Sequence, residues 1–254
     1  MDLQSGYPYS LIRNGLPFNY PWLEKDIRTE VAIIGGGISG ALTAYALTKA
    51  GIPCVVADAR TIGLGSTAAS TSLLQYEIDT PLSELRRKAG IAAANRAYEL
   101  CAAAITELGS ICRALRFPHF EMKHSLYLAS FRKDVKMLSA EYAARKELGL
   151  KMEWWDADTV AAKMGFASPA AIYSHMAAQT DAYLLSHALH QHNIQQGAQV
   201  FDRTAIADMD FRPRSVVLKT SGGWRITARH LVIATGYEVL QYLRQPLLKL
   251  NSTY

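Results

Sequence analysis

The chain has 254 residues, 50% of them hydrophobic and 19% charged, with a formal net charge of +5. This is an ordinary globular balance, long enough for one large domain or two modest ones, with no internal repeat and no low-complexity segment. Lys and Arg are scattered, and the densest run, Arg86-Arg87-Lys88, falls on a predicted helix, so the basic excess reads as a solvated face and argues against a nucleic-acid partner.

The first 28 residues are rich in Tyr, Pro and Trp and show no apolar signal-peptide core, so they read as an extended arm anchored on the domain by its aromatics. A strand over 31–34 then enters Gly35-x-Gly37-x-x-Gly40. A helix follows over 41–50 and stops at Gly51, and a second apolar strand over 54–57 delivers Asp58. This is the order of a dinucleotide-binding βαβ unit. Gly35 permits a tight turn out of the strand, Gly37 lets the backbone approach a pyrophosphate, and Gly40 removes a side chain where helix and strand must pack closely. The helix N-terminus adds free N–H groups and partial positive charge. Asp58, eighteen residues past Gly40, stands where a carboxylate accepts both ribose hydroxyls.

A small-residue loop, GSTAASTSLLQYE, follows Asp58. It reads either as a phosphate-wrapping segment or as a Ser/Thr-rich surface loop. Helical spacing starts at Pro81 and runs to 115 with a break near Gly90, its apolar stripe being Leu100, Ile105, Leu108, Ile111 and Leu115. A strand over 126–129, a helix over 133–148, a strand over 152–155 with a short helix, and a strand over 171–174 come next. Asp181 caps a helix to 196, closed by Gly197. Its histidines, His187, His190 and His192, have no obvious third ligand nearby and read as a solvated helix face, with metal binding the weaker alternative. Strands over 200–207, 215–220, 224–228 and 230–234 complete the pattern, the last leading into Thr235-Gly236-Tyr237.

Three unpaired cysteines, Cys54, Cys101 and Cys112, argue for a reducing compartment, and no hydrophobic run reaches a membrane span. The expectation is a cytoplasmic protein without a membrane partner. The element order predicts an α/β fold: a nucleotide-binding βαβ unit, a long α-rich insertion with short strands, then a return to βαβββ and a final strand. The expected boundaries are an arm over 1–28, the nucleotide-binding domain over 29–90 and 180–254, and the insertion over 91–179.

Together, the glycine motif with its acid, the GSTAASTSLL loop and the late ATG after a strand resemble the D-amino-acid oxidase superfamily, FAD-dependent oxidoreductases that include glycine oxidase and sarcosine oxidase. The resemblance runs from about residue 28 onward and implies a Rossmann-like, doubly wound FAD-binding domain with an α-rich insertion and part of a sheet-containing substrate domain. It implies FAD as cofactor, with Gly35, Gly37 and Gly40 at its pyrophosphate and Asp58 as the ribose acid. It places Arg60, Ser66, Thr67, Thr71, Ser72 and Leu73 near the cofactor, the backbone of Ile206 at adenine, and Thr235 and Gly236 in a turn closing over the nucleotide. Gln75, Tyr76 and Glu77 continue toward the flavin and are the candidate catalytic residues, although Glu77 could equally make a local salt bridge.

The implied chemistry is oxidation of a small-molecule amine or amino acid by hydride transfer to the flavin, which needs positioning more than a protein acid. Superfamily members continue for roughly another hundred residues beyond the position of Tyr254, so the resemblance also implies C-terminal truncation. Two alternatives stay open: a non-catalytic FAD-binding remnant, and an NAD-dependent dehydrogenase, since Asp58 could serve NAD as well.

Overall fold

The computed structural model describes residues 6–236. The chain divides into two compact units, Met1–Thr71 with Asp181–Tyr254, and Ser72–Thr180. The first unit opens with α1 (Tyr9–Asn14), β1 (Ile27–Ile34), α2 (Ile38–Lys49) and β2 (Cys54–Ala57). The second holds β3 (Leu73–Gln75), α3 (Leu82–Ala89), α4 (Ile91–Ala114), β4 (Phe120–Leu128), α5 (Val135–Glu147), β5 (Met152–Asp156), α6 (Ala157–Met164) and β6 (Ala170–Thr180). The chain then returns to the first unit with α7 (Ala182–Gln195), β7 (Gln199–Phe201), β8 (Ile206–Arg212), β9 (Ser215–Thr220) and β10 (Arg225–Ile233).

The sheet of the first unit has the order β7-β2-β1-β10-β9-β8. Its first four strands are parallel, and β9 and β8 continue as an antiparallel meander. Strand alternation explains why it is buried on both faces. Val31 and Ile33 join Cys54 and Val56 in one apolar cluster, while Ala32 and Ile34 join Val55 and Ala57 in the other. Each Val or Ile removed from water in this way contributes about 1.5–3 kcal/mol.

Several expectations change on folding. The strand expected over 200–207 is two strands, because 202–205 leave the sheet to tie down the arm: Asp202 N–H donates to the Pro21 carbonyl (3.0 Å) and Leu23 N–H to Thr204 Oγ1 (3.1 Å). The strands expected over 224–228 and 230–234 are one, β10, since it pairs with β9 over its first part and with β1 along its length. The arm is not anchored by its aromatics in general. Tyr20 and Leu23 are buried, whereas Tyr7, Tyr9, Phe18 and Trp22 are exposed, and residues 9–14 form a helix rather than an extended segment. Tyr237 and the residues after it lie outside the described residues.

In the second unit, β6 has β4 along one edge and β3 and β5 along the other, all antiparallel. Segment 72–90, assigned from sequence to the nucleotide-binding domain, belongs here, because β3 pairs with β6 and Tyr76 and Leu82 enter the same cluster as Tyr98. The helix break at Gly90 is present, with φ at 83°. The buried stripe of α4 is Ala94, Tyr98, Ala102, Ile105, Gly109 and Cys112; of the expected stripe only Ile105 is on it, and Leu100 is exposed. Small residues win this face because they allow close approach: the Phe120 ring comes within 2.9 Å of where a Gly109 Cβ would sit. Among the described residues no helix is long and apolar enough to cross a membrane.

Candidate functional site

The glycine turn after β1 is shaped by what crowds it. Gly35 has φ 106°, in the region that favours glycine, and a Cβ there would lie 2.5 Å from the Ala234 carbonyl oxygen at the end of β10. A Cβ on Gly40 would overlap the Gly35 carbonyl, which is the close packing expected of the third glycine. Gly37 is different: its backbone is unstrained, but a Cβ would meet Thr67 Oγ1 at 2.7 Å. The Thr67 hydroxyl in turn accepts the Ile38 N–H at 3.0 Å, so the GSTAAS loop caps α2.

Asp58 is held at the end of β2 by both its backbone and its carboxylate. Its N–H donates to the Phe201 carbonyl (3.0 Å) and its carbonyl accepts from Thr204 (2.7 Å). Oδ2 accepts the Gly36 N–H at 2.6 Å and Oδ1 the Arg60 N–H at 2.8 Å. Gly35, Gly37, Asp58, Arg60, Ser66, Thr67, Thr235 and Gly236 together line one cleft of this unit. Ile38, Ser39, Ala59 and Gly65 also line it, and of these only the Ser39 hydroxyl in the motif GGGISG carried a readable signal. The Thr235 hydroxyl is buried and without a partner among the described residues. A helix N-terminal turn, small hydroxyls and bare backbone suit a bound anion.

The remaining expected residues lie elsewhere. Gly40 sits beneath the cleft, against Gly35. Thr71 closes the first unit and is exposed, while Ser72 and Leu73 begin the second. Ile206 opens β8 and packs on the apolar cluster of β1 and β2. His187 and His190 are fully buried, correcting the solvated-face expectation. His187 Nδ1 lies 3.0 Å from Tyr20 Oη, and His190 Nε2 lies 3.0 Å from the Gly36 carbonyl oxygen.

The second unit has its own concavity of about 220 Å³, lined in part by Gln75, Glu77, Ser125, Tyr127 and Arg145. Tyr76 is not on it. The ring is wholly buried, packed edge-on to Tyr98, and burial pushes its phenol pKa up. Glu77 makes an ion pair, though with a residue distant in sequence rather than a local one: its Oε1 accepts from Ser125 Oγ (2.8 Å) and Arg145 Nη1 (3.1 Å). Arg145 also donates through Nε to Glu141 Oε1 at 2.6 Å, and Glu141 takes the Leu82 and Ser83 N–H groups at the start of α3, each at 2.8 Å. Burial opposes the Glu141 charge, but the Ser83 N–H and Arg145 outweigh it and hold the carboxyl below its ordinary range.

The sequence matches the FAD dependent oxidoreductase family, DAO, over residues 30–253. The chain belongs to this family. FAD is the family's cofactor. A curated relative, the putative Rieske 2Fe-2S iron-sulfur protein YhfW of Bacillus subtilis, is 27% identical over 204 residues, which cover 80% of this chain and 39% of that one. The fold is shared with glycine oxidase from Geobacillus kaustophilus (TM-score 0.69, 23% identity, 82% of this chain and 55% of that chain). It is shared also with L-proline dehydrogenase from P. horikoshii (TM-score 0.70, 19% identity, 86% and 55%) and with L-amino acid deaminase from Proteus myxofaciens (TM-score 0.70, 14% identity, 86% and 49%). The chain thus spans about half the length of these solved DAO-fold chains and less of the curated relative.

For a DAO-family chain, the cradle at Gly37 is the sharpest point to test. Gly37→Val drives carbon into Thr67 Oγ1, which lines the cleft. The expected result is an FAD Kd raised at least about tenfold in fluorescence titration, with the far-ultraviolet circular dichroism of the chain preserved. Unchanged affinity would count against a cofactor contact at Gly37.

Proposed function

We propose that the protein is an FAD-dependent oxidoreductase that oxidises an amine or amino acid. The supporting observation is the cleft that joins the glycine turn, Asp58 and the GSTAAS loop within a family match covering residues 30–253. In this reading Gly35, Gly37 and the first turn of α2 take the pyrophosphate, with Gly40 giving the packing that holds the turn. The Asp58 carboxylate, oriented by two backbone N–H groups, accepts the ribose hydroxyls. Arg60, Ser66 and Thr67 flank the phosphates, and the Thr235 hydroxyl gains the partner it lacks, with Gly236 closing the turn. Thr71, Ser72 and Leu73 are proposed to lie near the cofactor, and Ile206 to offer its backbone to adenine.

Bound FAD supplies the two-electron acceptor for a hydride leaving the carbon that bears nitrogen. The chain's part is to hold the substrate and to keep charged groups oriented. Of the second unit's candidates, Gln75 and Glu77 line its concavity and are proposed to orient the substrate; Tyr76 is proposed only to support them from the core. An amino-acid-like substrate is supported by the fold relatives, a glycine oxidase, an L-proline dehydrogenase and an L-amino acid deaminase.

The test is reconstitution of the purified chain with FAD, followed by anaerobic addition of glycine, L-proline or another amino acid. A yellow protein whose flavin absorbance bleaches with one of these bears out the proposal. A folded, colourless chain that cannot be reconstituted sinks it, and tight nicotinamide binding without flavin would move the site to NAD chemistry.

A further inference from the structure

α7 lies directly against α2, and its side chains reach the glycine turn. His190 is fully buried there, with Nε2 at 3.0 Å from the Gly36 carbonyl oxygen. Because a carbonyl oxygen only accepts, Nε2 carries the proton and the imidazole donates. One helical turn on, Asn193 Nδ2 donates to the Ala41 carbonyl at 3.0 Å, so the same face of α7 grips α2 at two points. On the other side of the residue, the Gly36 N–H is taken by Asp58 at 2.6 Å. Both peptide groups of Gly36 are therefore fixed by side chains from distant parts of the first unit.

The consequence follows from peptide geometry. Across a trans peptide the C=O of one residue and the N–H of the next point in opposite directions. No cis peptide occurs among the described residues. A donor that holds the Gly36 carbonyl toward α7 therefore turns the Gly37 N–H away from α7, and Gly37 is a residue of the cleft.

We infer that His190 is a positioning residue of the nucleotide site, holding the Gly36–Gly37 peptide so that the Gly37 N–H is presented to the cofactor's pyrophosphate. This rests on the FAD reading of the cleft. Its second ring nitrogen, Nδ1, is buried and has no partner among the described residues. An aliphatic side chain would fill the space without leaving that nitrogen unsatisfied, but it would lack the donor. The residue's chemistry is thus explained by the carbonyl it holds and not by packing alone.

The experiment measures FAD Kd for the full chain and for His190→Leu and His190→Gln, with the Gly37 amide and the His190 ring nitrogens followed by NMR in cofactor-free protein. His190→Leu is expected to raise Kd about tenfold and to shift the Gly37 amide before any FAD is added. His190→Gln, which restores a side-chain N–H donor, is expected to recover most of the affinity. Leucine and wild-type proteins with equal Kd and equal Gly37 shifts would overturn the inference. So would a wild-type ring protonated at Nδ1 instead of Nε2, a result that needs no variant to fold. Failure of the wild-type chain to bind FAD would instead count against the cofactor reading, with the Gly37 shift still deciding the positioning role.

Discussion

Replacing Arg145 with leucine is expected to cost about 3–5 kcal/mol of stability, measured as a fall in the urea midpoint of the second unit. The guanidinium is 1% exposed and bridges two carboxylates, Glu141 at 0% and Glu77 at 12% side-chain exposure. It also lies over the rings of Tyr76, Tyr98 and Tyr127 at 5.5–5.7 Å. Burial works against its charge, yet the hydrogen bond to Glu141 and the surrounding negative groups keep its pKa raised. Glu141 would retain its two backbone donors in the variant, whereas Glu77, whose Oε2 already has no partner, would keep only Ser125. The deficit should shrink in acid, because the wild type itself loses the Glu141–Arg145 interaction there. Glu141 has a folded pKa below its ordinary value, so its contribution is present above that value and is lost as the pH falls through the folded pKa. A loss under about 1 kcal/mol would mean that solvent screens the cluster.

Acid should unfold the first unit through His187 and His190. Burial pushes both imidazoles down from 6.5 to about 4, and the neighbouring His190 lowers His187 further. Around them stand Tyr20, whose phenol burial raises to about 12, and Tyr183, both uncharged at neutral pH; Asp181 is the carboxylate that partly favours the charged form of His187. The unfolded chain therefore binds more protons between pH 6.5 and 4. Stability is full above this window and declines through it as the pH falls. Each histidine withdraws about 3 kcal/mol by pH 4, from a shift of about 2.5 pKa values at 1.36 kcal/mol each. Thermal unfolding measured from pH 7.5 to 4 should show a steep fall, and His187→Phe should flatten it by removing one of the two groups. A flat profile in the wild-type chain would place the histidines in solvent.

Sequence patterns show local requirements of this chain and lose the contacts between its distant segments. The turn Gly35 to Gly40 was legible because its requirement is local: strand, glycines, helix and acid follow one another within a few turns of chain. Asp181 as a helix cap was legible for the same reason, and its side chain accepts the Leu184 N–H at 2.9 Å. Apart from Ile105, the stripe of α4 was misread because Ala and Gly carry little hydropathy signal, yet they allow the closest packing. Arg145 stayed hidden because its two acids come from different elements, and nothing in local spacing pairs it with Glu77, 68 residues away.

The sequence by itself determined the βαβ unit, its glycine turn and the acid at the end of β2, because backbone sterics and short-range order require those residue types there. Only the tertiary structure decided what surrounds them: that Thr67 caps α2, that Glu77 is tied to Arg145, and that His190 grips a carbonyl 154 residues away. Burial and partner choice are set by contacts between distant segments, and a one-dimensional pattern records neither.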